Sequence, residues 1–97
     1  IQIQMIIRIS DGKIYQLYDN EIFVFGSNEA GIHGAGAAKQ AYFMFGAEYG
    51  KGEGLYGQSY AIPTKDQSIG KLSLHRICDY VHKFIDFAHQ NVQYDFL

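Results

Sequence analysis

An apolar segment that leads directly into a glycine-rich turn constrains this chain more than any other feature. Residues 23–28 read Phe-Val-Phe-Gly-Ser-Asn, and residues 29–38 read Glu-Ala-Gly-Ile-His-Gly-Ala-Gly-Ala-Ala. The continuous apolar run predicts a strand covered on both faces, and the small residues after it predict a turn that opens a helix. A strand, turn and helix in this order aim backbone N–H groups and a helix N-terminus at one point, where a phosphate can bind.

The candidate ligand site consists of residues in and next to this turn. Glycines allow a ligand to approach the backbone closely, and an asparagine at a strand end can hydrogen-bond a sugar hydroxyl. A histidine titrates near neutral pH and can act as an acid or a base. We therefore predict His33 and Asn28 as catalytic candidates, and as ligand-binding residues Gly26, Ser27, Asn28, Gly31, Gly34, Ala35 and Gly36.

Each of these residues also has a purely structural interpretation. The glycines could serve tight packing alone, Asn28 could cap the turn, and His33 could be a loop residue with an exposed ring. Lys65 and Asp66 follow a predicted strand and could either line the same crevice or form a solvated turn.

Two common phosphate-binding motifs do not fit the turn. The dinucleotide fingerprint requires a glycine where Lys39 stands, and a P-loop requires a lysine where Ala37 follows Gly36. A phosphate site here would therefore be of another kind.

The order of the remaining elements predicts a mixed α/β fold. Asp11-Gly12 is a turn signal between two segments typical of strands, so residues 1–18 are expected to form a hairpin with strands at 3–9 and 14–18. Ser73 is an N-cap candidate for a helix whose apolar residues recur at helical spacing. The predicted order is β-β-β-α-β-α-β. The elements after the hairpin are strand 21–25, helix 34–45 with Gly46 as its cap, loop 46–57, strand 59–62 closed by Pro63, helix 74–90 and a strand opening at 94.

Length and composition favour one domain. The chain has 97 residues, of which 47% are hydrophobic, and this is enough for one small core. The chain starts with Ile1, and residues 94–97 read as the opening of a buried strand. We therefore expect residues 1–97 to form a single domain that is a fragment of a longer one.

Charge and cysteine content restrict the partners and the compartment. The formal net charge is -2 and the charged residues are scattered, whereas duplex nucleic acid requires a cationic face, so we predict no such partner. No apolar run approaches the ~20 residues of a membrane span. The single cysteine, Cys78, cannot form an internal disulfide, which predicts a reducing, cytoplasmic location.

The histidines of the second helix do not predict a metal site. His75, His82 and His89 are spaced by seven residues, which is about 10.5 Å along a helix and too far for one shared ion. We predict no metal and no cofactor. Cys78 lies near the apolar face of this helix, and we expect it to be a small core residue. The oligomeric state is not defined by the sequence.

Several segments together resemble a small bacterial and phage family that is similar to macro domains, the modules that bind ADP-ribose. They are Phe-Val-Phe-Gly-Ser-Asn at 23–28, Ala-Gly at 30–31, His-Gly-Ala-Gly-Ala-Ala at 33–38, Gly-Ala-Glu-Tyr-Gly at 46–50, Gly-Leu at 54–55 and Gly-Gln-Ser-Tyr-Ala-Ile-Pro-Thr-Lys-Asp at 57–66. The resemblance covers residues 21–97. It implies a macro-domain-like three-layer α/β/α fold with a mixed sheet, incomplete at its C-terminal end.

The resemblance also implies a nucleotide ligand. In macro domains an asparagine after a central strand contacts the distal ribose, and Asn28 stands at the matching place. Gly34, Ala35 and Gly36 match the segment that holds the diphosphate. Some macro domains hydrolyse ADP-ribose-1″-phosphate or remove ADP-ribose from proteins, and the resemblance leaves open whether this chain has either activity.

Departures from the family pattern support a second hypothesis. Glu29 and Ile32 stand where the family has leucine and arginine, and no aspartate matches the one that contacts adenine. The second glycine-rich loop of the family would lie beyond Leu97. We therefore carry two hypotheses: a domain that binds ADP-ribose or a related nucleotide diphosphate, and a non-catalytic protein-interaction module of the same fold.

Overall fold

The computed structural model describes residues 9–10 and 13–97. This part of the chain contains six strands and two helices. Their bounds are β1 Ile9–Ser10, β2 Lys13–Ile14, β3 Glu21–Asn28, α1 Gly36–Met44, β4 Gly54–Tyr56, β5 Ser59–Lys65, α2 Leu74–Gln90 and β6 Asp95–Phe96. The predicted α/β class is confirmed.

The first two strands form a separate antiparallel pair. Ile9 pairs with Ile14, and Ser10 pairs with Lys13, as the predicted hairpin requires. The predicted turn at 11–12 and the predicted strand before residue 9 lie outside the described residues. The second predicted strand, over 14–18, is too long, because only Ile14 of these residues belongs to β2.

Four strands form a mixed sheet in the order β4-β5-β3-β6. β3 is parallel to β5 and β6, and β4 is antiparallel to β5. β3 lies inside the sheet and is buried along most of its length, as its continuous apolar run predicts. The strand expected to close at Pro63 continues to Lys65. Pro63 lies opposite Ser27, and the register shifts just after Ser27, where proline has no N–H to donate.

α1 packs against one face of the sheet through small residues. Ala38 and Ala41 are buried in the main apolar cluster together with Phe23 and Phe25 of β3, because alanine lets a helix approach a sheet closely. α1 begins two residues later than predicted. The cause is Ala35, whose backbone is extended, with φ -154° and ψ 160°.

α2 packs against the opposite face through aromatic rings. Side chains alternate along a strand. Ala61 of β5 belongs to the apolar cluster under α1, so the neighbouring Tyr60 points to the opposite face of the sheet. The Tyr60 ring lies 4.9 Å from the ring of Phe84 and 5.0 Å from that of Phe87. The Ser73 hydroxyl accepts a hydrogen bond from the amide of Arg76 at 3.3 Å, which confirms the predicted N-cap and bounds of α2.

One side of α2 is more exposed than its apolar pattern predicts. Leu74 is 75% exposed and Ile85 is 41% exposed. Cys78 is exposed as well, so the expectation that it belongs to the core is wrong. Helical spacing places these three residues on a different side of α2 from Phe84 and Phe87, which contact the sheet.

The predicted loop over 46–57 contains an unexpected strand, β4. β4 pairs with β5 in antiparallel register. Gly46 follows the last turn of α1, as predicted, and contacts Gly57: a Cβ on Gly57 would lie 2.8 Å from the Gly46 Cα. Both glycines have positive φ. Glycine content predicts a loop, whereas pairing with β5 makes residues 54–56 a strand.

Candidate functional site

A cleft of about 260 Å³ opens at the carboxyl ends of β3 and β5. The chain leaves β3 toward α1 and leaves β5 toward α2, on opposite faces of the sheet, and diverging connections of this kind form a crevice. The cleft brings together five of the predicted ligand-binding residues, namely Gly26, Ser27, Asn28, Gly34 and Ala35. Thr64, Lys65 and Ile69 line its other side. Gly31, Gly36 and His33 lie outside its lining.

Asn28 closes the loop that follows β3. Its Nδ2 donates to the carbonyl oxygen of Ile32 at 2.7 Å, and its Oδ1 accepts from the amide of Ile32 at 2.9 Å. Asn28 is buried, so the turn-capping interpretation describes its main contacts. A primary amide has a second N–H and a further lone pair, which leaves Asn28 able to contact a ligand in the cleft as well.

The loop after β3 lies against the segment 50–52, and this contact requires glycine. A Cβ on Gly31 would lie 2.3 Å from the amide nitrogen of Lys51, and a Cβ on Gly52 would lie 2.0 Å from the carbonyl oxygen of Asn28. The hydroxyl of Ser27 donates to the carbonyl oxygen of Gly52. Packing alone therefore explains why residue 31 is glycine.

Gly34 has no such structural reason to be glycine. A Cβ at this position would meet no atom within 4 Å, and its φ lies outside the left-handed region. Gly36 has the same open space but a φ of 59°, which favours glycine on conformational grounds. Because Gly34 lines the cleft, the space that its missing side chain leaves is space open to a ligand.

His33 is fully buried beneath the loop. Its Nε2 lies 2.9 Å from the carbonyl oxygen of Glu48, and since a carbonyl only accepts, Nε2 carries the proton. The ring packs 5.6 Å from the ring of Phe25 and 5.7 Å from that of Tyr49. Nδ1 has no hydrogen-bond partner in the described part of the chain. These contacts make His33 a packing residue of the loop, so it is not the exposed loop residue of the alternative interpretation.

The start of α1 lies at the edge of the cleft: Ala35 and Ala38 line the cleft, whereas Gly36 and Ala37 line a groove on the other side. The N-cap residue of α1, Ala35, makes no side-chain hydrogen bond, and the first turn contains no acidic residue. Among the described residues, no acceptor pairs with the amides of Gly36, Ala37 or Ala38. These N–H groups carry the positive end of the helix dipole, so the helix start favours an anion.

Lys65 supplies a positive charge to the cleft. It has no ion pair with any residue that the structure describes. The neighbouring Asp66 does not line the cleft, because its Oδ1 accepts from the amides of Ser68 at 2.8 Å and Gly70 at 2.9 Å within its own turn. The sequence leaves open whether Lys65 and Asp66 line the crevice or form a turn. In the structure Lys65 lines the crevice, and Asp66 forms the turn.

Glu29, whose charge would repel an anion, is bound by α2. Its Oε2 accepts from the guanidinium of Arg76 and from the hydroxyl of Tyr80, the latter at 2.6 Å. The hydrogen bond to Glu29, with burial, raises the pKa of the Tyr80 phenol above its usual 10.0. A hydrogen bond with Tyr80 and the charge of Glu29 raise the pKa of Arg76. Glu29 thus pairs with a cation that lies 47 positions away in the chain.

Ile69 lines the cleft in a conformation that its type rarely adopts. Its φ is 61°, and a left-handed conformation costs a residue with a Cβ about 1–2 kcal/mol. Its amide donates to the carbonyl oxygen of Asp66 at 3.1 Å, which closes the turn after β5. The sequence carries no signal for this residue, because an isoleucine gives no indication of positive φ.

Comparisons of the chain with protein-family models, with curated proteins and with solved structures give no match. The fold and the site define the class of the protein as a small α/β domain with a mixed sheet and a cleft at its strand ends. Neither α1 nor α2, the helices of the described part, has the length and apolar character that a membrane crossing requires. Among the same residues, no cluster of three or more His, Cys, Asp or Glu is arranged to hold a metal ion.

Proposed function

We propose that the cleft binds ADP-ribose or a related nucleotide diphosphate, with the phosphates at the start of α1. One observation carries this proposal. The cleft is lined on one side by Ala35 and Ala38, at the open start of α1, and on the other by Lys65, which has no ion pair within the described residues. Unpaired backbone donors and a cation around one cleft are the groups that recognise a phosphate.

The proposal includes the three-layer arrangement of macro domains. The support for it is the packing of α1 and α2 on opposite faces of a mixed sheet, with the cleft at the strand ends between them. The asparagine that macro domains use for the distal ribose corresponds to Asn28, which lines the cleft and keeps an unused N–H and lone pair. Gly34 would let the diphosphate approach the backbone.

The proposed activity is binding, and cleavage is a separate step to be measured. An acid or base must reach the substrate, and His33 is buried outside the lining of the cleft. Release of inorganic phosphate from ADP-ribose-1″-phosphate by the purified protein would identify a phosphatase. Binding without release of phosphate would identify a domain that recognises the nucleotide.

Calorimetric titration with ADP-ribose tests the proposal. We expect saturable binding that Lys65→Gln weakens about fivefold, since a solvent-exposed charge pair contributes about 1 kcal/mol. Lys83→Gln is the matched control: Lys83 lies on α2, outside the cleft, with its Nζ 3.9 Å from Glu53, and its loss should leave the affinity unchanged. Absence of binding heat at roughly millimolar ADP-ribose would contradict the proposal.

A second candidate function, a protein-interaction module, is favoured by an apolar groove on the other side of the start of α1. The groove has a volume of about 530 Å³. Around it Phe43 is 71% exposed, Met44 47% and Tyr15 45%, and exposed aromatic side chains of this kind are typical of protein interfaces. The same titration separates the two candidates, because a module that has lost its ligand binds no ADP-ribose.

A further inference from the structure

We infer that Arg76 and Tyr80 of α2 are positioning residues of the cleft, which keep the Glu29 carboxylate away from the bound phosphate. The inference rests on the proposed function, since it concerns the same cleft and an anionic ligand. It assigns to α2 a part in recognition although neither Arg76 nor Tyr80 lines the cleft.

The backbone fixes Glu29 beside the site. Glu29 directly follows Asn28, the last residue of β3. Its amide donates to the carbonyl oxygen of Lys65 at 2.9 Å. The main chain of Glu29 therefore lies next to Asn28 and Lys65, which both line the cleft. Only the direction of its side chain keeps the carboxylate out of the cleft.

Two donors from α2 determine that direction. The Arg76 guanidinium and the Tyr80 hydroxyl both bind Oε2 of Glu29, and they stand one helical turn apart on the same side of α2. The side chain of Glu29 is only 10% exposed, whereas that of Arg76 is 56% exposed. Arg76 therefore forms an ion pair with Glu29 without being part of the core, and it can be replaced without a loss of buried packing.

Removal of the Arg76 charge has a consequence that depends on Glu29. The Glu29 carboxylate would be left with only the Tyr80 hydroxyl as partner. At a position next to Asn28 and Lys65, it would repel a phosphate and compete for the Lys65 ammonium. The affinity for an anion should then fall, and it should recover when the charge of Glu29 is removed as well.

The test is a double-mutant cycle on the whole chain with ADP-ribose as the probe, measured by calorimetry. We expect Arg76→Met to weaken binding about fivefold, and we expect Arg76→Met combined with Glu29→Gln to bind within about twofold of Glu29→Gln alone. Lys83→Met is the matched control, because it removes a partly exposed cation of the same helix that lies 5.5 Å from the centre of the Tyr80 ring but does not bind Glu29. It should leave the affinity unchanged.

A purely structural role for Arg76 predicts a different pattern. If Arg76 only held the loop in place, the double variant would bind as weakly as Arg76→Met, and that result would overturn the inference. An unchanged affinity of Arg76→Met would overturn it too while leaving the proposed function intact. Absence of binding by the unsubstituted protein would instead remove the proposed function, and the inference with it.

Discussion

The amide of Gly50 donates a hydrogen bond to the carbonyl oxygen of Gly31 at 3.0 Å. This bond joins the loop after β3 to a segment that lies beyond α1. The two glycines differ in their surroundings, because a Cβ on Gly31 would collide with the backbone of Lys51, whereas a Cβ on Gly50 would meet nothing within 4 Å. Both have positive φ, 72° and 81°.

This difference predicts that replacement by alanine lowers the free energy of unfolding more at Gly31 than at Gly50. Gly31→Ala should lower the free energy of unfolding by about 3 kcal/mol, as the sum of left-handed strain and overpacking. Gly50→Ala has the strain alone and should cost about 1 kcal/mol. Urea unfolding of both variants measures the difference, and equal losses would contradict the close contact at Gly31.

The stability of the protein should decrease at high pH because of Tyr60. Burial, together with the nearby charge of Glu53, raises the pKa of the Tyr60 phenol above its usual 10.0. The folded protein thus holds this proton more tightly than the unfolded chain, so the contribution is fully present below pH 10.0 and is lost as the pH rises through the folded pKa.

Tyr60→Phe isolates this effect, because phenylalanine keeps the ring contacts with α2 and removes the ionisable group. The stability difference between the unsubstituted protein and Tyr60→Phe should be constant below pH 10.0 and should then shift in favour of the variant. Glu53→Gln, in a chain that keeps Tyr60, should make the alkaline decrease smaller, because it lowers the folded pKa of Tyr60 toward 10.0 and leaves the onset of the decrease unchanged. A difference that stays constant through the alkaline range would show that Tyr60 makes no such contribution.

Periodic patterns made much of the fold predictable. The apolar run at 23–25 predicts the buried strand β3. Ser73 and the apolar residues that follow it at helical spacing predict α2 with its observed bounds. β4 could not be predicted in this way, because three residues in a glycine-rich stretch become a strand only through pairing with β5. The start of α1 was misplaced because alanine at 35 gives no indication of an extended backbone.

The candidate site was predictable in its location but not in the role of each residue. A strand that leads into a glycine-rich turn predicts a cleft at that place, and five predicted residues line it. The sequence does not distinguish Gly31 from Gly34, since the difference depends on a contact with residues 50–51. The direction of Glu29 likewise depends on Arg76, which lies 47 positions away in the chain.

The affinity of Gly34→Ala for ADP-ribose, measured by calorimetry together with its unfolding free energy, is the sharpest test of phosphate binding at the start of α1. A Cβ at residue 34 has open space around it, so its unfolding free energy should stay within about 0.5 kcal/mol of that of the unsubstituted protein. The same Cβ would occupy the space through which the proposed phosphate ligand approaches the backbone. We expect the unsubstituted protein to bind ADP-ribose and the variant to bind it about tenfold more weakly. An unchanged affinity in a variant of unchanged stability would contradict it.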